Sequence, residues 1–111
     1  MKKTALAAAA REQLRAATTS TSGRASRTIY GGHDQRLRQT VIALVSGASL
    51  AEHTSPPEAS IQILVGEVLL ETASTSWQLK TGDFLDLPAA AHSVRAISDA
   101  AFLLTVSNGG A

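Results

Sequence analysis

A chain of 111 residues, 44% of them hydrophobic, is the size of one ordinary globular domain. Its net charge of +1, with Lys and Arg spread singly along the chain, offers no basic stripe for phosphates, so nucleic acid is not an expected partner. The absence of cysteine excludes disulfides, thiolate metal sites and a cysteine nucleophile, and it is compatible with the cytoplasmic location expected here.

The chain opens with "MKKTALAAAAREQLRAA". Two lysines before an alanine run resemble the start of a secretory leader, but the apolar stretch Ala5 to Ala10 is short and weakly hydrophobic. Arg11, Glu12 and Arg15 follow where it would have to continue. Alanine and leucine favour helices, and Leu6, Ala10, Leu14 and Ala17 recur at helical spacing, so the segment is expected to be an amphipathic helix, docked or swapped. No segment approaches the roughly 20 apolar residues that span a membrane. The next stretch, "TTSTSGRAS" at 18–26, has no periodicity and is expected to be a linker or loop.

From there the punctuation is that of an all-β protein. The runs "RTIY", "RQTVIALV", "SLAEHT", "SIQILV", "VLLETA", "SWQLK", "FLDLP", "HSVRAI" and "AFLLTVS" are separated by Gly, Pro, Ser and Asp turns. About nine short strands with no helical pattern between them point to a sandwich or barrel over residues 26–108, with residues 1–25 as an N-terminal helix and linker. Residues two apart on a strand share a face. Ile61, Ile63 and Val65 are therefore expected on one core face, and Phe102, Leu104 and Val106 on another. His92 is expected inward with Val94 and Ala96, and His53 on the face of Ser49, Ala51 and Ser55.

Two stretches carry a family likeness: "GASLAEHTSPPEASIQILVG" and "GDFLDLPAAAHSV". In the first, Gly47 and five residues lead to His53, and Gly66 follows six residues after Ala59. In the second, Gly82 and five residues lead to Pro88, with His92 after it; fifteen residues separate Gly66 from Gly82. These resemble the two signature motifs of the cupins over roughly residues 37–107. The "GR...YGG...LRQTVIAL" lead-in adds a likeness to small bacterial cupins with no settled activity. The resemblance implies an RmlC-like jelly-roll β-barrel of about nine short strands with a short N-terminal helix, assembled as a homodimer. In metal-binding cupins two histidines and a glutamate of the first motif, with the histidine of the second, hold a divalent ion such as iron, manganese, zinc or nickel. Here only His53 and His92 carry over. Ser55 stands at the second histidine position, Ala59 at the glutamate position and Ala90 at a motif glycine, and His92 comes one residue early.

A firm divalent site takes three or four donors, and a hydroxyl is a poor substitute for imidazole. Glu58, beside the vacant position, would supply a carboxylate if the Pro-Pro turn shifted the register by one. Gln62 would supply a neutral oxygen, although alternation from Ile61 and Ile63 points it outward. Two functions are thus in view. One is a binding module that holds a small organic ligand in a largely apolar pocket lined by Ser55, Ala59, Ile61 and Val94, with His53 and His92 as polar contacts and weak or no metal. The other is a metal-dependent enzyme, of oxygenase or isomerase type, using both histidines. No phosphate-binding glycine loop or nucleophile elbow is present. His33 is expected on the surface, Trp77 as an apolar anchor, and Asp83 as a turn residue.

Overall fold

Period-two alternation builds strands wherever it occurs in this chain. The computed structural model describes residues 1–53, 58–87 and 90–107. Among them are one helix, α1 (Leu6–Thr19), and nine strands: β1 (Arg24–Tyr30), β2 (Leu37–Leu44), β3 (Ser49–His53), β4 (Glu58–Val65), β5 (Glu67–Thr72), β6 (Ser76–Lys80), β7 (Phe84–Asp86), β8 (His92–Ala96) and β9 (Ala100–Ser107). The strands form two antiparallel sheets, ordered β1-β2-β9-β4-β7 and β3-β8-β5-β6. Their facing sides enclose the main core. Leu44, Ile61, Ile63, Ala100 and Phe102 come from the five-stranded sheet, and Val68, Leu70, Leu79, Val94 and Ala96 from the other.

The helix is docked, on the outer face of the five-stranded sheet. Buried Ala9, Ala10 and Ala17 meet Val41, Ala43, Ala101 and Leu103, with Leu6 and Leu14 packed alongside. Contact through alanines lets helix and sheet approach closely. The helix has little intrinsic support: Ala5 at its N-cap makes no side-chain bond, and its first turn has no acidic residue. A 14-residue helix of this kind is marginal alone and is held by its packing. No helix among the described residues is long and apolar enough to cross a membrane.

Three expectations need correction. The stretch 18–26 is not a linker: it comprises the last helical residues, a tight turn, and the first residues of β1. Val65 leaves the core face of Ile61 and Ile63 because a bulge shifts the register between Ile63 and Val65, pairing Val65 with Ala101 and leaving it 38% exposed. Ser49 is not on an inner face either. It is exposed opposite Arg95, and Leu50, opposite buried Val94, is the residue that packs on the core.

Gly66, at the β4–β5 turn, has φ +83°, and a Cβ there would overlap the Asp99 carbonyl oxygen and lie 2.8 Å from the Ala100 Cα. Gly47 has φ +86° with open space around it. Gly47→Ala is therefore expected to cost about 1–2 kcal/mol of backbone strain alone, and Gly66→Ala several kcal/mol more, because two stretches of backbone must part. Urea denaturation of the two variants checks this; equal losses would contradict it.

Candidate functional site

In an antiparallel sheet directly paired residues share a face, so the register alone assembles rows of side chains. On the inner face of the four-stranded sheet one row runs Leu50, Val94, Leu70, Trp77. The next row, at the end of the sandwich, is His53, His92 and Thr72. The pairing of His53 with His92 depends on a bulge. Leu50 opposes Val94, and strict counting from there would set residue 52 against His92, but one extra residue in β3 advances the match to 53. The expectation that His53 follows the parity of Ser49 and Ala51 thus fails, while its juxtaposition with His92 holds in the backbone. The His53 side chain, and Ser55 and Pro88 entirely, lie outside the described residues.

The five-stranded sheet supplies the opposite wall. Thr28, Thr40, Leu104, Ile61 and Leu85 form one row. Arg38, Val106 and Ala59 form the next, and the Leu87 N–H donates to the Ala59 carbonyl at 2.8 Å. β3 ends at His53 and β4 starts at Glu58, close in the chain, so these rows and the histidine row lie at the same end of the sandwich. Thr28 and Thr40 have their hydroxyls 3.3 Å apart. Arg38 is exposed at the rim.

His92 is 1% exposed, the only buried polar or charged residue among those described. Its Nδ1 lies 3.2 Å from the Ala90 carbonyl oxygen. A carbonyl only accepts, so this contact sets the proton on Nδ1 and, in the neutral ring, leaves the lone pair on Nε2, the nitrogen for accepting a hydrogen bond or ligating a metal.

Of the residues singled out in sequence, Ala59, Ile61 and Val94 come together in the main core cluster at this end. Glu58 and Gln62 do not join them. Both are exposed, Glu58 next to inward Ala59 and Gln62 between inward Ile61 and Ile63, with Gln62 paired to Phe84 on the outer face. The register of β4 was not shifted to bring Glu58 in. Among the described residues no three His, Asp or Glu side chains converge. Among the described residues the register places two histidine positions across from each other and no carboxylate beside them on the inner face. Asp83 is a turn residue, its carboxylate accepting from the Lys80 N–H at 2.9 Å, and His33 is exposed. Trp77, 36% exposed, sits at the sheet edge beside Leu70. Thr40 and Arg38 share the rows of the opposite wall with Leu104 and Val106, a placement not anticipated from the sequence. The signal was available in "LRQTVIAL", where Arg38 and Thr40 share parity with Ile42 and Leu44.

The chain matches no protein-family model and no curated protein. Solved structures do resemble it. A conserved protein of unknown function from Streptococcus pyogenes is 27% identical, with a TM-score of 0.72 over 83% of this chain and 80% of that one. A cupin superfamily protein from Desulfitobacterium hafniense is 18% identical, with a TM-score of 0.71 over 78% of each chain. An RmlC-like cupin from Shewanella frigidimarina is 18% identical, with a TM-score of 0.70 over 79% of this chain and 78% of that one. The two facing antiparallel sheets are those of the cupin fold. The chain is a small single-domain protein with the RmlC-like cupin fold.

If the Ala90 contact orders the ring, neutral His92 is expected as the Nδ1–H tautomer. Long-range ¹H–¹⁵N correlation of the imidazole nitrogens checks this, and an Nε2–H pattern would contradict it.

Proposed function

We propose that this protein closes into a jelly-roll barrel in the cytoplasm and binds a small organic ligand at the end bounded by the histidine row, with weak or no metal binding. The observation that carries the reading is Ala59. It occupies the inner row at the position where the cupin resemblance puts a glutamate, and the nearby carboxylate and amide, Glu58 and Gln62, are exposed. What remains is a mostly apolar wall of Ala59, Ile61, Leu104, Val106 and Val94, with His92 and the Thr28–Thr40 pair as polar points and the His53 backbone position across from His92. Small-molecule sites commonly combine an apolar lining with a few placed polar groups. A second reading, a metal-dependent enzyme, is favoured by one observation: the β3 bulge keeps one histidine from each motif in cross-strand register.

Metal analysis of tag-free protein purified without chelator separates the two. The wild type is expected to hold well under one equivalent of divalent ion, and the double variant Ser55→His, Ala59→Glu about one equivalent, because it restores four donors. A full equivalent in the wild type, lost in His92→Ala, would overturn the reading in favour of the enzyme.

We also propose a homodimer that pairs the outer face of β4 and β7 across a two-fold axis. Phe84 is 65% exposed there, beside Gln62. A cleft of about 320 Å³ lies next to it, between α1 and β4, lined by Ala7, Ala10, Arg11, Leu14, Leu64 and Val65. Phe84 of one copy fits the apolar cleft of the other. Charge supports the match: residues 1–38 hold eight of the ten Lys and Arg, whereas Asp83 and Asp86 flank Phe84. Two-fold contacts of this kind are self-complementary. Light scattering is expected to give twice 11.5 kDa for the wild type and 11.5 kDa for Phe84→Glu; a monomeric wild type would overturn the dimer.

A further inference from the structure

The geometry points to a second ligand site, for a short-chain monocarboxylate, in the side cleft between the edge strands β1 and β3. These two strands border different sheets and do not pair with each other. Between them lies a cleft of about 240 Å³ lined by Arg24, Ala25, Ser26, Ile42 and Leu50. It opens on the flank of the sandwich, whereas His92 closes one end. Its floor is hydrocarbon: Ile42 and Leu50 both pack on the main core. Its rim is cationic and polar. Arg24 and Ser26, two apart on β1, pair with Leu44 and Ile42 and so share the inward side of the strand.

Arg24 reaches across the seam, and one of its N–H groups lies 3.5 Å from the Ser49 carbonyl oxygen, at the outer limit of a hydrogen bond. It has no carboxylate partner among the described residues, where the one ion pair is between Arg27 and Glu12. A guanidinium carries five donors in a planar fork suited to a carboxylate held through two bonds. The cleft therefore presents an unmatched cation above a small apolar floor, and the complementary ligand is an anion with a short hydrocarbon body. Size limits that body. The volume falls below the roughly 300–1,000 Å³ of sites for drug-sized molecules, which suits a chain of about six carbons. Specificity follows from the same parts: the fork selects carboxylate over alcohol or amine, and Ile42 and Leu50 select an alkyl body over a sugar.

Hexanoate is the probe, titrated into ¹⁵N-labelled full-length protein. Saturable shifts are expected at the amides of Ala25, Ser26 and Leu50, with millimolar affinity for so few atoms. Arg24→Gln is expected to weaken binding about tenfold, the scale of one charge-assisted bond, and Arg24→Lys to recover part of it. Hexanol, with the same number of carbons but no charge, is expected to bind about as weakly as hexanoate binds the Gln variant. Unchanged dispersion of the Arg24→Gln spectrum shows that the fold survives. No saturable shifts, equal affinity in wild type and Arg24→Gln, or hexanol binding as tightly as hexanoate would each overturn the assignment. Shifts confined to His92, Thr40 and Leu104 would overturn it too, placing the anion at the end site.

Discussion

Both cores of this protein depend on one strand. β9 sits at the centre of the five-stranded sheet, hydrogen-bonded to β2 on one side and β4 on the other. Its alternate residues serve two different packings: Ala100 and Phe102 fill the space between the sheets, while Ala101 and Leu103 lie beneath α1. A strand covered on both faces loses the simple apolar–polar alternation and reads as a continuous apolar run, as "AAFLL" does. The helix and the sandwich are thus coupled through a single backbone, and a shift of β9 by one residue would exchange an alanine for a phenylalanine under the helix.

That dual role explains where sequence patterns sufficed and where they did not. All nine strands and the helix were legible, because each run is short and ends at turn residues. The inward face of His92, Val94 and Ala96 was legible too, since β8 pairs without a break from His92 to Ala96. What parity could not supply was the effect of bulges. An extra residue in β3 and an irregularity in β4 each reverse the face of everything beyond them, which misplaced Ser49 and Val65. A bulge has no signature in composition; it shows only when the partner strand is known. The helix-to-strand turn at 20–23 was hidden for another reason: Thr18 and Thr19 are poor helix formers that nonetheless continue the helix, their hydroxyls donating to the Arg15 and Ala16 carbonyls.

One of these irregularities and the regular stretch of β4 that precedes the other define the candidate site. The β3 bulge brings His53 into register with His92, and the regular register of β4 up to Ile63 keeps Ala59 and Ile61 inward and Glu58 and Gln62 outward. Motif spacing located the histidines, and the register decided the company they keep. The proposed ligand site draws on that company, since small and branched apolar residues around one buried imidazole suit recognition by shape with a few directed hydrogen bonds.

The alanine seam between α1 and the sheet has a consequence for how this sequence tolerates change. In the core between the sheets a leucine or isoleucine can be exchanged for a neighbour of similar volume, with repacking to absorb the difference. Ala10, Ala17, Ala43 and Ala101 have no side chain left to reshape. Any larger residue acts as a wedge between helix and sheet, and the sole smaller one, glycine, loosens the backbone it sits in. Variation in this fold is therefore one-sided: the interior of the sandwich can drift, whereas the contact that holds the helix is confined to almost a single residue type.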